Sequence, residues 1–163
     1  APMPDLDDSV QQTADGYIRA LLDELDYVGV LTLELFQCAD GSLLANEMAP
    51  RVHNSGHWTM DGAVTSQFEN HLRAIQGLPL GDTAARLPTC MVNVIGREGD
   101  PAAILALPDA HLHRYDKSER PGRKLAHVNL VAPTHEALMA RVLACAALLP
   151  EAPEPRFSFE QAD

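Results

Sequence analysis

Apolar and polar positions change period several times along the chain, and each change marks an element. Residues 8–26 place Val10, Tyr17, Ile18, Leu21, Leu22 and Leu25 at helical spacing behind an acidic start, which predicts a first helix. Residues 27–37 and 43–48 are β-rich runs on either side of "ADGS", which predicts a hairpin with Asp40-Gly41 as its two-residue loop. The first of these runs is apolar enough to read as a buried strand. Residues 49–60, "APRVHNSGHWTM", follow neither period and predict a loop. Residues 61–76 set Val64, Phe68, Leu72 and Ile75 on one helical face, with Gly77 and Pro79 as the stop. A turn-rich connector at 78–88 is the candidate subdomain boundary. Beyond it the pattern predicts a strand at 89–95, a short helix near 101–106, and strands at 111–116 and 125–131. A last helix at 134–149 takes Thr134 as its N-cap, with Glu136 in its first turn. The acidic, proline-containing tail, 150–163, is expected to pack loosely. The whole reads as a mixed α/β (α+β) chain.

The hairpin carries an electrostatic problem. With Asp40-Gly41 as the loop, paired positions sum to 81, so Cys38 faces Leu43, Phe36 faces Ala45 and Glu34 faces Glu47. Opposed Cβ atoms lie about 4.5–5.5 Å apart, and like charges there are destabilising. At about 5 Å and an effective dielectric near 20, the repulsion is roughly 3 kcal/mol. Either one carboxyl is protonated, or a cation sits between the two, or a bulge shifts the register and one glutamate points to solvent. Paired hard oxygen ligands suit Mg²⁺, which takes one or two carboxylates and completes its shell with phosphate oxygens and water.

The loop after Glu47 adds anion chemistry. It supplies Arg51, His53, Asn54, Ser55 and His57, with Gly56 allowing tight backbone geometry. A guanidinium fork matches a planar carboxylate, bicarbonate or phosphate. A polar surface loop is the plainer reading.

Charge and composition narrow the classes. The 163 residues suffice for one core with a small appended lobe, and 46% hydrophobic with 21% charged content is ordinary for a globular domain. A formal net charge of −11 argues against nucleic acid and against an anionic membrane surface as partners. No run approaches the roughly 18 apolar residues of a membrane-spanning helix. The start, "APMPDLDDSV", has no signal-peptide pattern and no initiator methionine, so a fragment is expected. Cys38, Cys90 and Cys145 lie far apart and are expected to be reduced core thiols. Against the acidic background, five of the twelve Lys and Arg residues (Arg114, Lys117, Arg120, Arg123 and Lys124) fall within eleven positions. With Gly122 for close backbone approach, this turn suits a phosphate monoester, or else is a solvated hairpin tip. His111, His113 and His127 could form a zinc set only with an acidic or cysteine partner, and none has ligand spacing to them.

The stretch "NEMAPRVHNSGHWTMDGAVTSQFENHLRAIQGLPLG" closely resembles the ATP-grasp enzymes 5-(carboxyamino)imidazole ribonucleotide synthetases of bacterial purine biosynthesis. "YVGVLTLELF" before it and "HLHRYDKSERPGRKLAHVNL" after it resemble the same family in the same order. The resemblance implies the C-terminal half of an ATP-grasp fold, with an antiparallel sheet, flanking helices and a small β-rich lobe. It places the ATP-grasp part at 1–80, the lobe at 81–158 and a tail at 159–163. It implies a cytoplasmic, homodimeric ligase that uses ATP and Mg²⁺ to activate bicarbonate as carboxyphosphate and then carboxylates aminoimidazole ribonucleotide. By the same resemblance Glu34 and Glu47 are the magnesium ligands and Asn46 joins them in the nucleotide site. Arg51, His53, Asn54 and Ser55 line the bicarbonate and imidazole pocket, with the first three as catalytic candidates. Lys117, Arg123 and Lys124 cradle the ribonucleotide 5′-phosphate. Ala49 stands where many ATP-grasp enzymes have asparagine, which fits this subfamily better than biotin carboxylase. The family's N-terminal domain and the lysine-bearing lid have no counterpart here, so little catalysis is expected of the chain alone. Two other readings are a related ATP-grasp carboxylating or formyl-transferring ligase, and a non-catalytic folding or dimerisation module.

Overall fold

The computed structural model describes residues 7–153 and 155, so the expectations for the 159–163 tail and most of the acidic end lie outside the described residues. Contacts divide the chain into two compact units. The hairpin unit holds the residues up to Met60 and Thr65–Thr83, and the sheet unit holds Asp61–Val64 and the chain from Ala84 onward.

In the hairpin unit, helix α1 (Asp8–Glu24) starts at Asp7, whose carboxylate accepts from the Ser9 amide at 2.7 Å. It ends in a Schellman motif: the Tyr27 and Asp26 amides donate to Leu22 O and Asp23 O at 3.0 and 3.3 Å, with Asp26 at φ 46°. This exit uses up the start of the run that the sequence assigns to a strand. Val30 N–H then donates to His71 Nδ1 at 3.0 Å, and strand β1 (Thr32–Gln37) begins five residues later than expected. It pairs antiparallel with β2 (Leu43–Ala49). Neither is a buried strand. Glu34 is half-buried, Glu47 is exposed, and β2 buries only Ala49.

The register corrects the expectation in an instructive way. The loop is not Asp40-Gly41 alone. Gly41 N–H donates to Cys38 O at 2.9 Å and Cys38 N–H to Ser42 O at 2.8 Å, with Gly41 at φ 84°, so Ala39, Asp40 and Gly41 together turn the chain. Phe36 therefore pairs with Leu44 and Leu35 with Ala45, not Phe36 with Ala45. A β-bulge between Glu34 and Leu35 then inserts Asn46 as one extra residue on β2, and Glu34 faces Glu47 after all. Two irregularities cancel.

A 3-10 turn (Asn54–Gly56) and a short helix α2 (Thr59–Gly62) follow. The helix expected from residue 61 starts later, as α3 (Gln67–Ile75). In the sheet unit, Val64 N–H donates to Ala84 O at 2.9 Å and Arg86 N–H to Gly62 O at 2.8 Å, so residues 61–64 form a β-bridge segment instead. Ser66 caps α3 by accepting from Glu69 N–H at 3.1 Å, the Ser-x-x-Glu start signal. Leu72 and Ile75 on its expected apolar face are exposed.

The sheet unit is built on an antiparallel sheet in the order β3 (Thr89–Ile95), β5 (Lys124–Val131), β4 (Ala110–Arg114). Helix α4 (Pro101–Leu105) has Asp100 as N-cap and proline at its first position, and α5 (His135–Leu148) is capped by Thr134 as expected. Central β5 is buried from Leu125 to Leu130, and its side chains alternate between faces. Ala126, Val128 and Leu130 join Val94, Ile104, Leu138, Val142, Cys145 and Leu149 in one apolar cluster. His127 and Asn129 belong to the other face. The core-thiol expectation holds for Cys145, which is buried; Cys90 is half-buried against the same cluster, and Cys38 sits half-buried at the hairpin turn. Burial, with the neighbouring Cys90, pushes the Cys145 thiol up to about 11. Among the described residues no helix is long and apolar enough to cross a membrane.

Candidate functional site

The bulge and the following loop bring three donors together. A carboxylate oxygen from Glu34, one from Glu47 and a ring nitrogen of His53 all lie within 4.8 Å of one another. His53 is buried; its Nε2 lies 3.3 Å from Glu34 Oε1. Its Nδ1 accepts from the Ser55 amide at 3.3 Å and lies 2.9 Å from Ser55 Oγ, which leaves the ring proton on Nε2, facing Glu34. Asn46, the bulged residue, donates Nδ2 to Glu34 Oε2 at 3.2 Å. The like-charge pair is thus held by two donors on Glu34, while Glu47 stays open to solvent.

This donor set fits a hard divalent cation. Two carboxylates with open solvent on one side match Mg²⁺, which keeps positions for phosphate oxygens and water. His53 is better placed as a partner of Glu34, since both ring nitrogens are engaged. Arg51 is exposed on the same loop and donates Nη1 to Val52 O at 2.9 Å. Asn54 is half-buried and Ser55 exposed within the 3-10 turn. So Glu34, Asn46, Glu47, Arg51, His53, Asn54 and Ser55 all fall in the hairpin unit.

One residue absent from the sequence-based set organises this loop. The Gln67 amide accepts from His53 N–H at 3.0 Å and donates to His53 O at 2.8 Å, and its Nε2 lies 2.8 Å from His57 Nδ1. Nothing in the pattern around Gln67 distinguishes it from a solvated helix position. The contact spans fourteen residues.

The sheet unit holds the basic turn. Arg114 is not available there as a loose charge: Glu98 grips it through Nη2 at 2.6 Å and Nε at 3.3 Å, and holds its guanidinium above the usual range. Arg123 donates Nη1 to Ser118 O and Oγ at 3.3 and 3.1 Å, bracing the turn around Gly122, which has φ 72°. Lys117 Nζ lies 5.2 Å from the Tyr115 ring centroid, a cation–π contact, and Lys124 is exposed.

The same unit supplies the acidic partner that the histidines lack in the sequence reading. Asp61 takes His113 Nε2 at 2.8 Å, Asn129 Nδ2 at 2.6 Å and His111 Nδ1 at 3.5 Å. His113 stacks on His127 at 4.6 Å, and Tyr115 Oη meets His127 Nδ1 at 2.6 Å. Desolvation pushes Asp61 upward, but the Asn129 and His113 hydrogen bonds and the nearby imidazoles more than offset it, so its pKa lies below the usual value. The donors do not close around a zinc: among the described residues, Glu34, Glu47 and His53 are the His, Cys and carboxylate groups whose ligand atoms converge in a set of three. Asp61 anchors a hydrogen-bond network.

Comparison with known proteins places the sequence and the fold. Residues 1–68 match the ATP-grasp domain, and residues 89–141 match the phosphoribosylaminoimidazole carboxylase C-terminal domain. The N5-carboxyaminoimidazole ribonucleotide synthase of Vibrio cholerae is 48% identical over 143 residues, covering 88% of this chain and 38% of the relative. The chain thus spans about two-fifths of that relative's length. The crystal structure of N5-carboxyaminoimidazole ribonucleotide synthetase from Thermus thermophilus superposes with a TM-score of 0.88 at 50% identity, over 95% of this chain and 43% of the other. An Aspergillus clavatus N5-carboxyaminoimidazole synthase, solved with ADP and 5-aminoimidazole ribonucleotide, gives 0.75 at 35% identity, over 86% and 40%. In sequence and in fold, this chain belongs to the N5-carboxyaminoimidazole ribonucleotide synthase family of ATP-grasp proteins, and it corresponds to a C-terminal portion of that family.

Proposed function

We propose that this chain supplies the metal hairpin, the bicarbonate loop and the phosphate-binding turn of an ATP-dependent carbon–nitrogen ligase. Its reaction carboxylates aminoimidazole ribonucleotide with bicarbonate through carboxyphosphate, releasing ADP and phosphate. The observation that carries this reading is the convergence of Glu34, Glu47 and His53 beside the Arg51–Ser55 loop. Glu34 and Glu47 would hold Mg²⁺, whose chemistry is to offset the charge of the ATP phosphates. Asn46 fixes the direction of the Glu34 carboxylate. Arg51 offers a guanidinium to the carboxyphosphate as charge develops, and Asn54 and Ser55 supply short polar contacts on the same loop. His53 keeps its Nε2 proton on Glu34 and so steadies that carboxylate beside the anionic centre. Catalysis of this kind is positional and electrostatic, with no covalent enzyme intermediate.

Lys117, Arg123 and Lys124 are proposed to take the ribonucleotide 5′-phosphate. Support comes from a turn braced by Arg123 itself and from the scarcity of cations elsewhere on an acidic chain. The ATP-grasp part is proposed to cover 1–80 and the lobe 81–158; the two domain matches fall on either side of the 78–88 connector. A cytoplasmic homodimer is proposed for the whole enzyme.

The test is made in a full-length synthetase that contains this chain. Changing both Glu34→Gln and Glu47→Gln should reduce bicarbonate- and aminoimidazole-ribonucleotide-dependent ADP release by about 10²–10³-fold, the scale for losing a preorganised electrostatic group. Normal turnover of the double variant would sink the metal-ligand assignment. Turnover indifferent to bicarbonate in the unaltered enzyme would sink the reaction.

A further inference from the structure

We propose that Gln67 is the positioning residue of the bicarbonate loop, holding the His53 backbone so that its imidazole stays against Glu34. This rests on the reaction assigned above. The amide makes the pair of bonds that a neighbouring strand would make, accepting from His53 N–H at 3.0 Å and donating to His53 O at 2.8 Å. The same nitrogen reaches His57 Nδ1 at 2.8 Å, so both ends of the 3-10 turn are held by one side chain. His57 in turn packs on Phe68 of α3, with ring centroids 5.2 Å apart. Gly56 is what lets the amide in. A Cβ there would stand 2.5 Å from Gln67 Oε1. Gln67 is itself fixed from below: its N–H donates to Thr59 Oγ1 at 2.9 Å, and that hydroxyl donates to Gly56 O at 2.6 Å.

The chemistry needs an amide of this length. Glutamate at this position can accept from His53 N–H but has no proton for His53 O or His57, methionine has the length without the polarity, and asparagine is one methylene short. The His53 carbonyl also accepts from Gly56 N–H at 3.0 Å within the turn, while Gln67 ties both its N–H and its C=O to α3, and the ring is aligned while Nδ1 meets Ser55 and Nε2 meets Glu34. A loop shift of about 1 Å is enough to reduce turnover by as much as about 10²-fold.

The experiment compares Gln67→Met and Gln67→Glu in a full-length synthetase containing this chain, with two readouts. In Gln67→Met, exchange of the His53 amide proton should accelerate about two- to tenfold, as one lost hydrogen bond implies. Its kcat/KM for bicarbonate and aminoimidazole ribonucleotide should fall by about 10–100-fold, with the KM for ATP changed less than about twofold. In Gln67→Glu the His53 amide should stay protected while kcat still falls, because only the donor bonds are gone. Unchanged His53 exchange in Gln67→Met overturns the clamp. Faster exchange with unaltered kinetics, or a loss shared equally by ATP, reduces Gln67 to a structural residue and overturns the positioning role. An unaltered enzyme without bicarbonate-dependent turnover refutes the assigned reaction and, with it, the catalytic part of this proposal; the exchange readout then still judges the clamp separately.

Discussion

In the sheet unit, every residue of β5 from Leu125 to Leu130 is buried, whereas β2 of the hairpin unit buries Ala49 and otherwise faces outward. The contrast extends to how each unit fixes its loops. The sheet unit packs a ten-residue apolar cluster between its sheet and α5. The buried residues of the hairpin unit, among those described, are Ala49, His53, Thr65 and Asn70, three of them polar. Two amide side chains of α3 replace the missing apolar contacts: Gln67 reads both backbone groups of His53, and three residues on, Asn70 reads both of Gly81, at 2.8 and 3.2 Å. Apolar burial yields stability in proportion to area without fixing direction, while paired amide bonds fix direction and contribute about 1 kcal/mol each. The unit with the candidate metal pair is therefore the directional one, and the sheet unit is the thermodynamic anchor.

The largest effect expected from this contrast is on stability. Leu130→Ala removes a fully buried side chain from the sheet-unit cluster and should cost about 2–5 kcal/mol in urea denaturation. Phe36→Ala in β1, where the ring is 59% exposed, should stay within about 0.5 kcal/mol. Comparable losses at the two sites would break the comparison outright.

Asp61 offers a smaller, sharper test, because it places a hydrogen-bonded carboxylate inside the anchoring unit. Its folded pKa is depressed below the ordinary carboxylate value of 3.8. A depressed carboxylate contributes stability that is present above its unfolded pKa and is lost as pH falls through the folded one. Stability of the sheet unit should therefore decline with acid below about pH 4, and Asp61→Asn should flatten that decline, read by denaturation midpoints between about pH 5 and pH 2. At neutral pH the same variant should be destabilised, since His113 and Asn129 lose a charged acceptor. An unchanged acid slope would mean that other carboxylates set the acid limit.

How much of this was legible in the sequence depends on range. Local signals worked: Thr134 caps α5, and strand β3 runs over the residues its pattern marks. The facing of Glu34 and Glu47 was legible, but for an incomplete reason, because a three-residue loop and a bulge at Asn46 offset each other. The start of α3 was also available locally in Ser66-x-x-Glu69, yet the apolar spacing of Val64 with Phe68 pulled the expected helix six residues too early. Asp61 and Gln67 were beyond reach. Their roles exist only once His113, Asn129 and His53 are brought to them from fourteen to sixty-eight residues away, and neither stands out by type or spacing.

The smallest effect concerns the thiols, where the two units should differ in rate and not in stability. Cys145 is fully buried in the sheet-unit cluster, and with its pKa at about 11 only about one molecule in a thousand carries the thiolate at pH 8. Burial also pushes Cys90 upward. Cys38 lies at the hairpin turn, half-buried, with its N–H and C=O both committed to the turn, and it is not part of the sheet-unit cluster. Iodoacetamide at pH 8 should therefore label Cys38 first in the native protein and Cys145 only after denaturant exposes the core, as peptide mass mapping would read. Cys38→Ser should leave the denaturation midpoint nearly unchanged while abolishing the fast phase. Fast native labelling of Cys145 would show that the sheet unit opens as readily as the hairpin unit, and the division into an anchor and a directional site would fail at its anchor.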